Sequence, residues 1–335
     1  MRLLFLALHP DLPSSRLRVV ELVPHLEALG ASCDVRPYPD RRADRRALGG
    51  ELAGYDAVVV QKRLPSRLEA RAWRRAPVPV VFDFDDALPY RQRPRRGGYE
   101  SLQRRRRFER AKAAADAFAC GSPTLLELVS DAGKPAAFVP TAVPVEVPVR
   151  GEAPPDRPVR VGWIGGRGNL GELDALAPVF AELARSRALE LVVISDAPWG
   201  AGGVRTRHVP WSLAGQAAAL AELDVGIMPL ADTPWNRGKC AYKLLQYMAA
   251  GVCAVGSPVG MNAGLIRDGE NGLLAADEAG WLDRLDRATR DAALRARLGA
   301  AGRATVEQGY SREAVARLWL ALLARIGAGS APASE

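Results

Sequence analysis

Three histidines and four cysteines are all that this chain of 335 residues offers as soft metal ligands. Cys33, Cys120, Cys240 and Cys253 show no Cys-x-x-Cys spacing, and no histidine cluster accompanies them. That excludes a zinc site of the finger type and a disulfide framework, and it suits a reducing cytoplasm. Long apolar runs are missing as well. No uninterrupted stretch approaches the roughly 20 residues needed to span a bilayer. The apolar run at residues 3–8 is too short for a signal-peptide core and reads as a first strand. Aromatic residues make up only 6% of the chain, and no recognition motif or aromatic platform points to nucleic acid. Lysine is scarce: five of the 46 basic residues.

What is present is an ordinary globular composition, 48% hydrophobic and 25% charged, in a length that suits two domains with a core each. The formal net charge of +8 is lopsided. Residues 1–150 hold 26 Lys and Arg against 18 Asp and Glu, whereas residues 151–335 hold 20 of each. The excess is densest over residues 91–112, with Arg104, Arg105, Arg106 and Arg107 in a row. Such a half attracts something anionic, with a membrane surface or a lipid-phosphate acceptor first in line; the alternative is a solvated helix face.

Read in order, the chain opens with a strand, a loop over residues 9–15, an amphipathic helix capped by Ser14 or Ser15, and a second strand after Gly30, a βαβ opening. Ligands of such sheets sit at the carboxyl ends of strands, so Ser14, Ser15 and Arg16 line a candidate site. Further buried strands follow, and one ends in Asp83, Phe84, Asp85 and Asp86. Three carboxylates there are costly without partners or work. Holding Mg²⁺, acting as a base toward an acceptor hydroxyl, and pairing with nearby arginines are the three readings. Residues 99–119 read as a helix carrying the arginine run. A Pro- and Val-rich passage to residue 158 reads as the interdomain linker. The domains are expected at 1–150 and 158–310, with a terminal helix over 311–326.

In the second half, the turn Gly165, Gly166, Arg167 joins a strand to a helix expected from about Leu173, and its backbone N–H groups can approach a phosphate. Trp211 either lies against a nucleotide base or packs as an ordinary indole. Residues 238–251 read as a helix stopped by Gly251. On it Lys239, Lys243 and Gln246, spaced i, i+4, i+7, share a face. Two ammonium groups at a helix N-terminus suit a diphosphate, and Gln246 suits a sugar hydroxyl. Gly260 and Asn262 follow the next strand and line the same crevice.

The run from Lys239 through Met248, Ala249, Ala250 and Gly251 to Gly260 and Asn262, then Asp268, Gly269 and Gly272, resembles the donor-binding region of GT-B glycosyltransferases, family 4 in particular. The resemblance implies two Rossmann-like doubly wound α/β domains facing a cleft, with the donor domain second and the final helix crossing back to the first. The abundance of Ala, Arg and Gly suggests a GC-rich bacterial genome, and the cysteines and the basic half suit an enzyme of the cytoplasm, peripheral at the inner face of the membrane. By the resemblance, such an enzyme passes a hexose from a nucleoside diphosphate sugar to a glycan, lipid-linked or small-molecule acceptor, in cell-surface glycan or glycolipid synthesis. Anomeric configuration would be retained, with no metal and no cofactor beyond the nucleotide sugar. Arg167, Arg237, Lys239 and Lys243 would hold the diphosphate. Asp86 matches the aspartate of the family's His-Asp pair, and Asp85 falls where the histidine would be, which assigns both to the acceptor. Two family glutamates fall on Gly238 and Gln246, and a third on Gly264. These departures keep alive a non-catalytic nucleotide-sugar-binding protein; a sugar-nucleotide epimerase is the other alternative.

Overall fold

The computed structural model describes residues 1–9, 12–96, 98–151 and 157–328. It divides into two compact units. The first comprises Met1–Ala142, Thr233–Cys240 and the chain from Arg312 onward; the second comprises Val143–Asp232 and Ala241–Ser311.

The first unit is a parallel sheet of six strands: β1 (Arg2–Ala7), β2 (Ser32–Pro37), β3 (Ala57–Gln61), β4 (Val80–Phe84), β5 (Ala117–Cys120) and β6 (Ala136–Phe138), in the order β2-β1-β3-β4-β5-β6. Its central strands are near-continuous apolar runs because helices cover both faces, so neither side chain direction meets water. The order reverses between β1 and β3, which is where a doubly wound sheet opens a crevice. On one face the helix Arg312–Arg325 lays Val315, Trp319 and Leu322 into the core, with Trp319 edge-on to Phe5 at 5.8 Å. On the other face Phe82, Phe84 and Phe108 stack and tilt against one another.

Two local expectations fail here. Neither Ser14 nor Ser15 caps the first helix. The turn Pro13–Ser15 follows Leu12, which makes no side-chain cap, and runs into a π-helical segment, Arg16–Val20, before the α-helix Val23–Ala28. The wide turn lets Arg18 reach inward to β4, a pull that periodicity does not display.

The second unit repeats the plan with β7 (Val159–Ile164), β8 (Leu189–Ser195), β9 (Thr206–Pro210), β10 (Val225–Met228), β11 (Cys253–Gly256) and β12 (Leu273–Leu274), all parallel, in the order β12-β11-β10-β7-β8-β9. Its reversal lies between β7 and β10. The glycine turn after β7 does not lead straight into an α-helix. Two 3₁₀ segments, Arg167–Glu172 and Asp174–Leu176, intervene, and the α-helix is Ala177–Ser186, with Pro178 in its first turn setting the start.

The largest departure concerns residues 238–251. The α-helix is Tyr242–Ala249, not a helix from Gly238. Gly238 closes a 3₁₀ turn, Lys239 is extended, and Ala241 is left-handed at φ 52°. Lys239 is therefore not on the helix, and only Lys243 and Gln246 share its face. No helix is long and apolar enough to cross a membrane among the described residues.

Candidate active site

Two polar clusters stand at the strand ends, one in each unit. In the first unit, Gln61 ends β3 at the switch point. It accepts from the Ser15 hydroxyl at 2.7 Å and donates to the Ser14 carbonyl at 3.1 Å, so Ser15 is fully buried across the crevice between β1 and β3. Arg16 pairs with Glu21. The next residue, Lys62, is left-handed at φ 51°, a conformation that a lysine adopts only when its surroundings enforce it. Its ammonium lies 2.8 Å from Asp85 Oδ1 and bonds Asp86 as well.

The three aspartates therefore part company. Asp83 is fully buried and held by Arg18 through two guanidinium nitrogens, while Arg18 also donates to the Val139 carbonyl at 3.0 Å and to Thr141 at 3.2 Å. Burial opposes the Arg18 charge, but Asp83 outweighs it and holds the guanidinium protonated. Asp83 is thus the structural member. Burial would raise the pKa of Asp85, yet Lys62 and Arg18 together bring it below the usual carboxylate value. Burial and the charge of Asp85 push Asp86 above it. Neighbouring carboxylates whose environments drive them apart are suited to different roles in proton transfer.

The segment Thr233–Cys240 belongs to this cluster. Cys240 Sγ donates to the Asp85 carbonyl at 3.0 Å, and Lys239 adds its charge to the field at Asp86. A Cβ on Gly238 would lie 2.7 Å from Ala87 Cβ and 2.8 Å from its backbone nitrogen. Backbone cannot yield cheaply, so this position of the family glutamate admits no side chain at all. Arg237 and Lys239 belong to the first unit.

In the second unit, the helix Tyr242–Ala249 is pinned to the switch point. The Tyr247 hydroxyl accepts from Ile164 N–H of β7 at 3.1 Å and donates to the Ile227 carbonyl of β10 at 3.0 Å. That places Lys243 at the glycine turn. Its ammonium sits 2.6 Å from Glu172 and 4.3 Å above the ring of Trp163. Gly165 must be glycine, because a Cβ would lie 2.5 Å from that same ring. Arg167 pairs with Asp196, which accepts from both its backbone N–H at 2.6 Å and its guanidinium at 3.1 Å. Those bonds hold Asp196 below the usual carboxylate range. Trp211 is 40% exposed and donates to Gln216 at 3.2 Å, and Gln246 meets the same Gln216 oxygen at 3.5 Å. Gly260 has a positive φ of 55°; Asn262 is buried and donates to the Ser257 carbonyl at 3.1 Å.

Sequence reasoning did not single out Lys62, Arg18, Glu172, Asp196 or Gln216 as members of these clusters. Lys62, directly after β3, and Asp196, directly after β8, could have been found by the strand-end rule that marked Gly165; Arg18, Glu172 and Gln216 carry no local signal.

Residues 158–291 match the family model described as Glycosyl transferases group 1. The second unit carries that domain. Solved structures agree on the fold over nearly the whole chain. A sucrose-phosphate synthase from Thermosynechococcus elongatus aligns with a TM-score of 0.75 at 18% identity, covering 98% of this chain and 100% of its own. Anabaena HepE in complex with UDP-glucose aligns at 0.74 and 13%, covering 97% and 100%. The lipopolysaccharide outer core galactosyltransferase WaaB, in its apo form, aligns at 0.70 and 14%, covering 97% and 99%. No curated protein sequence matches. The chain has the GT-B fold, and with the group 1 domain it is a glycosyltransferase.

Proposed function

We propose that this glycosyltransferase moves a hexose from a nucleoside diphosphate sugar to an acceptor hydroxyl with retention at the anomeric carbon and without a divalent ion. The observation that carries the reading is the pinned helix. Tyr247 fixes Lys243 and Gln246 beside the Gly165 turn, at the strand reversal of the unit that matches the group 1 model. Lys243 and Arg167 stabilise the negative charge that gathers on the departing diphosphate, and Gln246 with Gln216 addresses the sugar or base beside Trp211. Asp85, kept ionised by Lys62, orients the acceptor hydroxyl, and Asp86 exchanges its proton. HepE binds UDP-glucose, so UDP-hexoses lead the list of donors. The acceptor is a glycan or lipid-linked alcohol of a bacterial cell-surface pathway, met in the cytoplasm at the inner face of the membrane.

A panel of UDP-, GDP-, dTDP- and ADP-sugars tests this by thermal stability, since a ligand of the native state alone raises the melting temperature. One nucleotide class should stabilise the wild type, Lys243→Ala should abolish the shift, and slow hydrolysis of that donor should follow. No shift with any sugar nucleotide at millimolar concentration would sink the proposal. A second reading, binding without transfer, is favoured by one observation: the packing of Gly238 against Ala87 shuts out a family glutamate. A donor-induced shift with neither hydrolysis nor transfer would decide for it.

A further inference from the structure

The helices Arg67–Trp73 and Leu102–Ala114 lie side by side on the first unit and leave an open groove of about 410 Å³ between them. Arg67, Leu102, Arg105, Arg106, Glu109 and Arg110 line it. On the second helix Leu102, Arg105, Arg106 and Glu109 are spaced i, i+3, i+4, i+7, so they form one stripe. Its opposite side buries Phe108 and Ala111. The only acid in the groove, Glu109, is taken up by Lys112 at 2.9 Å. Arg67, Arg105, Arg106 and Arg110 form no ion pair among the described residues. Four unneutralised guanidinium groups around one groove repel one another and call for an anion.

Leu102, which lines the groove, and Leu68, next in sequence to Arg67, are the two most exposed large apolar side chains of the described chain, at 74% and 67%. No aromatic ring lines the groove. Phosphates set among guanidiniums are matched bidentately, while bare leucines find a counterpart only where apolar matter lies just beneath the phosphates. A lipid bilayer has both; a nucleic acid backbone has only the first. We propose that this groove and its two flanking leucines are the docking face for an anionic phospholipid surface. The inference deepens the membrane placement above and is independent of the donor site. The helix itself is too polar to insert. It lies against the headgroups with its guanidiniums on phosphate and its leucines at the acyl boundary.

Co-sedimentation of the full chain with vesicles tests it, using phosphatidylcholine alone or mixed with phosphatidylglycerol. At about 0.1 M salt the mixed vesicles should bind at least ~10-fold better, and about 1 M salt should release the protein, because the Debye length falls from ~10 Å to ~3 Å. Reversing two charges in the groove, Arg105→Glu with Arg106→Glu, should cost at least ~10-fold in vesicle affinity. The same reversal on the other face of the sheet, Arg317→Glu with Arg325→Glu on the helix Arg312–Arg325, should leave binding within about twofold, since charge acts only within a Debye length. Leu102→Ser should weaken binding several-fold and flatten none of the salt dependence. Equal binding to both vesicle types overturns the proposal. So does an equal loss in both double variants, which would make net charge rather than this face responsible. Tighter retention on duplex DNA than on the mixed vesicles also overturns it. The sugar-nucleotide melting shift, measured on the same variants, should stay at its wild-type value; its preservation confirms the fold and separates a failure here from a failure of the donor reading.

Discussion

The two clusters solve the same problem, a concentration of charge at strand ends, in opposite ways. In the first unit the carboxylates are the groups proposed to act and cations hold them: Lys62 and Asp85 are 12% and 13% exposed, and Arg18 and Asp83 are sealed entirely. In the second unit the cations are the groups proposed to act and carboxylates hold them, and the partners range from Lys243 and Glu172, as buried as Lys62 and Asp85, to Arg167 and Asp196, exposed by 70% and 50%. Charges taken out of water hold a fixed geometry because every alternative leaves one uncompensated. Charges left in water hold only loosely and are screened. Asp85 with Lys62 and Lys243 with Glu172 are therefore held rigidly, and Arg167 is the cation whose exposed pairing lets it turn toward an anion.

The sharpest way to break the comparison is to damage the sealed pair. Arg18→Ala strands Asp83 in the core and should lower unfolding free energy by about 3–5 kcal/mol in urea denaturation. Stability near the wild-type value would mean that the sealed pair is no anchor. Next is Lys243→Ala, which should reduce kcat/KM by roughly 10²–10³-fold through lost binding and stabilisation of the diphosphate, with the fold intact by circular dichroism. A kcat/KM within a few-fold of the wild type would remove Lys243 from the diphosphate site.

A third test uses pH. The negative charge of Asp85 helps hold Asp86 above the usual carboxylate range, so Asp85→Asn removes an upward influence and leaves Lys62 to Asp86 alone. The acid limb of kcat/KM should then move to lower pH, and a limb that stays put or moves up would remove Asp86 from proton exchange. The smallest effect is expected from the exposed pair. Arg167→Ala should leave the denaturation midpoint unchanged while weakening the donor-induced melting shift, because a water-exposed ion pair adds little to stability but its cation can still meet a diphosphate. A large loss of stability in this variant would contradict the contrast between the clusters.

Much of the fold was legible before any coordinates. Apolar runs such as residues 58–60 and 191–194 are strands because both their faces are covered, and the βαβ opening and the Gly165 turn follow from patterns a few residues long. The family resemblance rested on a contiguous run as well, and the group 1 match spans it. The errors cluster where chain segments far apart in sequence compete for one residue. Helical spacing placed Lys239 beside Lys243, yet Cys240 is held by the Asp85 carbonyl and Gly238 by Ala87, more than 150 residues away, and the helix cannot begin until Tyr242.

Composition and local period thus determined on their own the strands, most helices, the two-unit plan and the basic half, since each depends on which neighbours a side chain has along the chain. Tertiary structure alone decided that Asp83 is structural while Asp85 and Asp86 share Lys62, that Glu172 and Asp196 pair with Lys243 and Arg167, and that Lys239 sits with the first unit. Those outcomes are matters of charge partnership in low dielectric, and a charge finds its partner by distance in space, which the order of residues does not record.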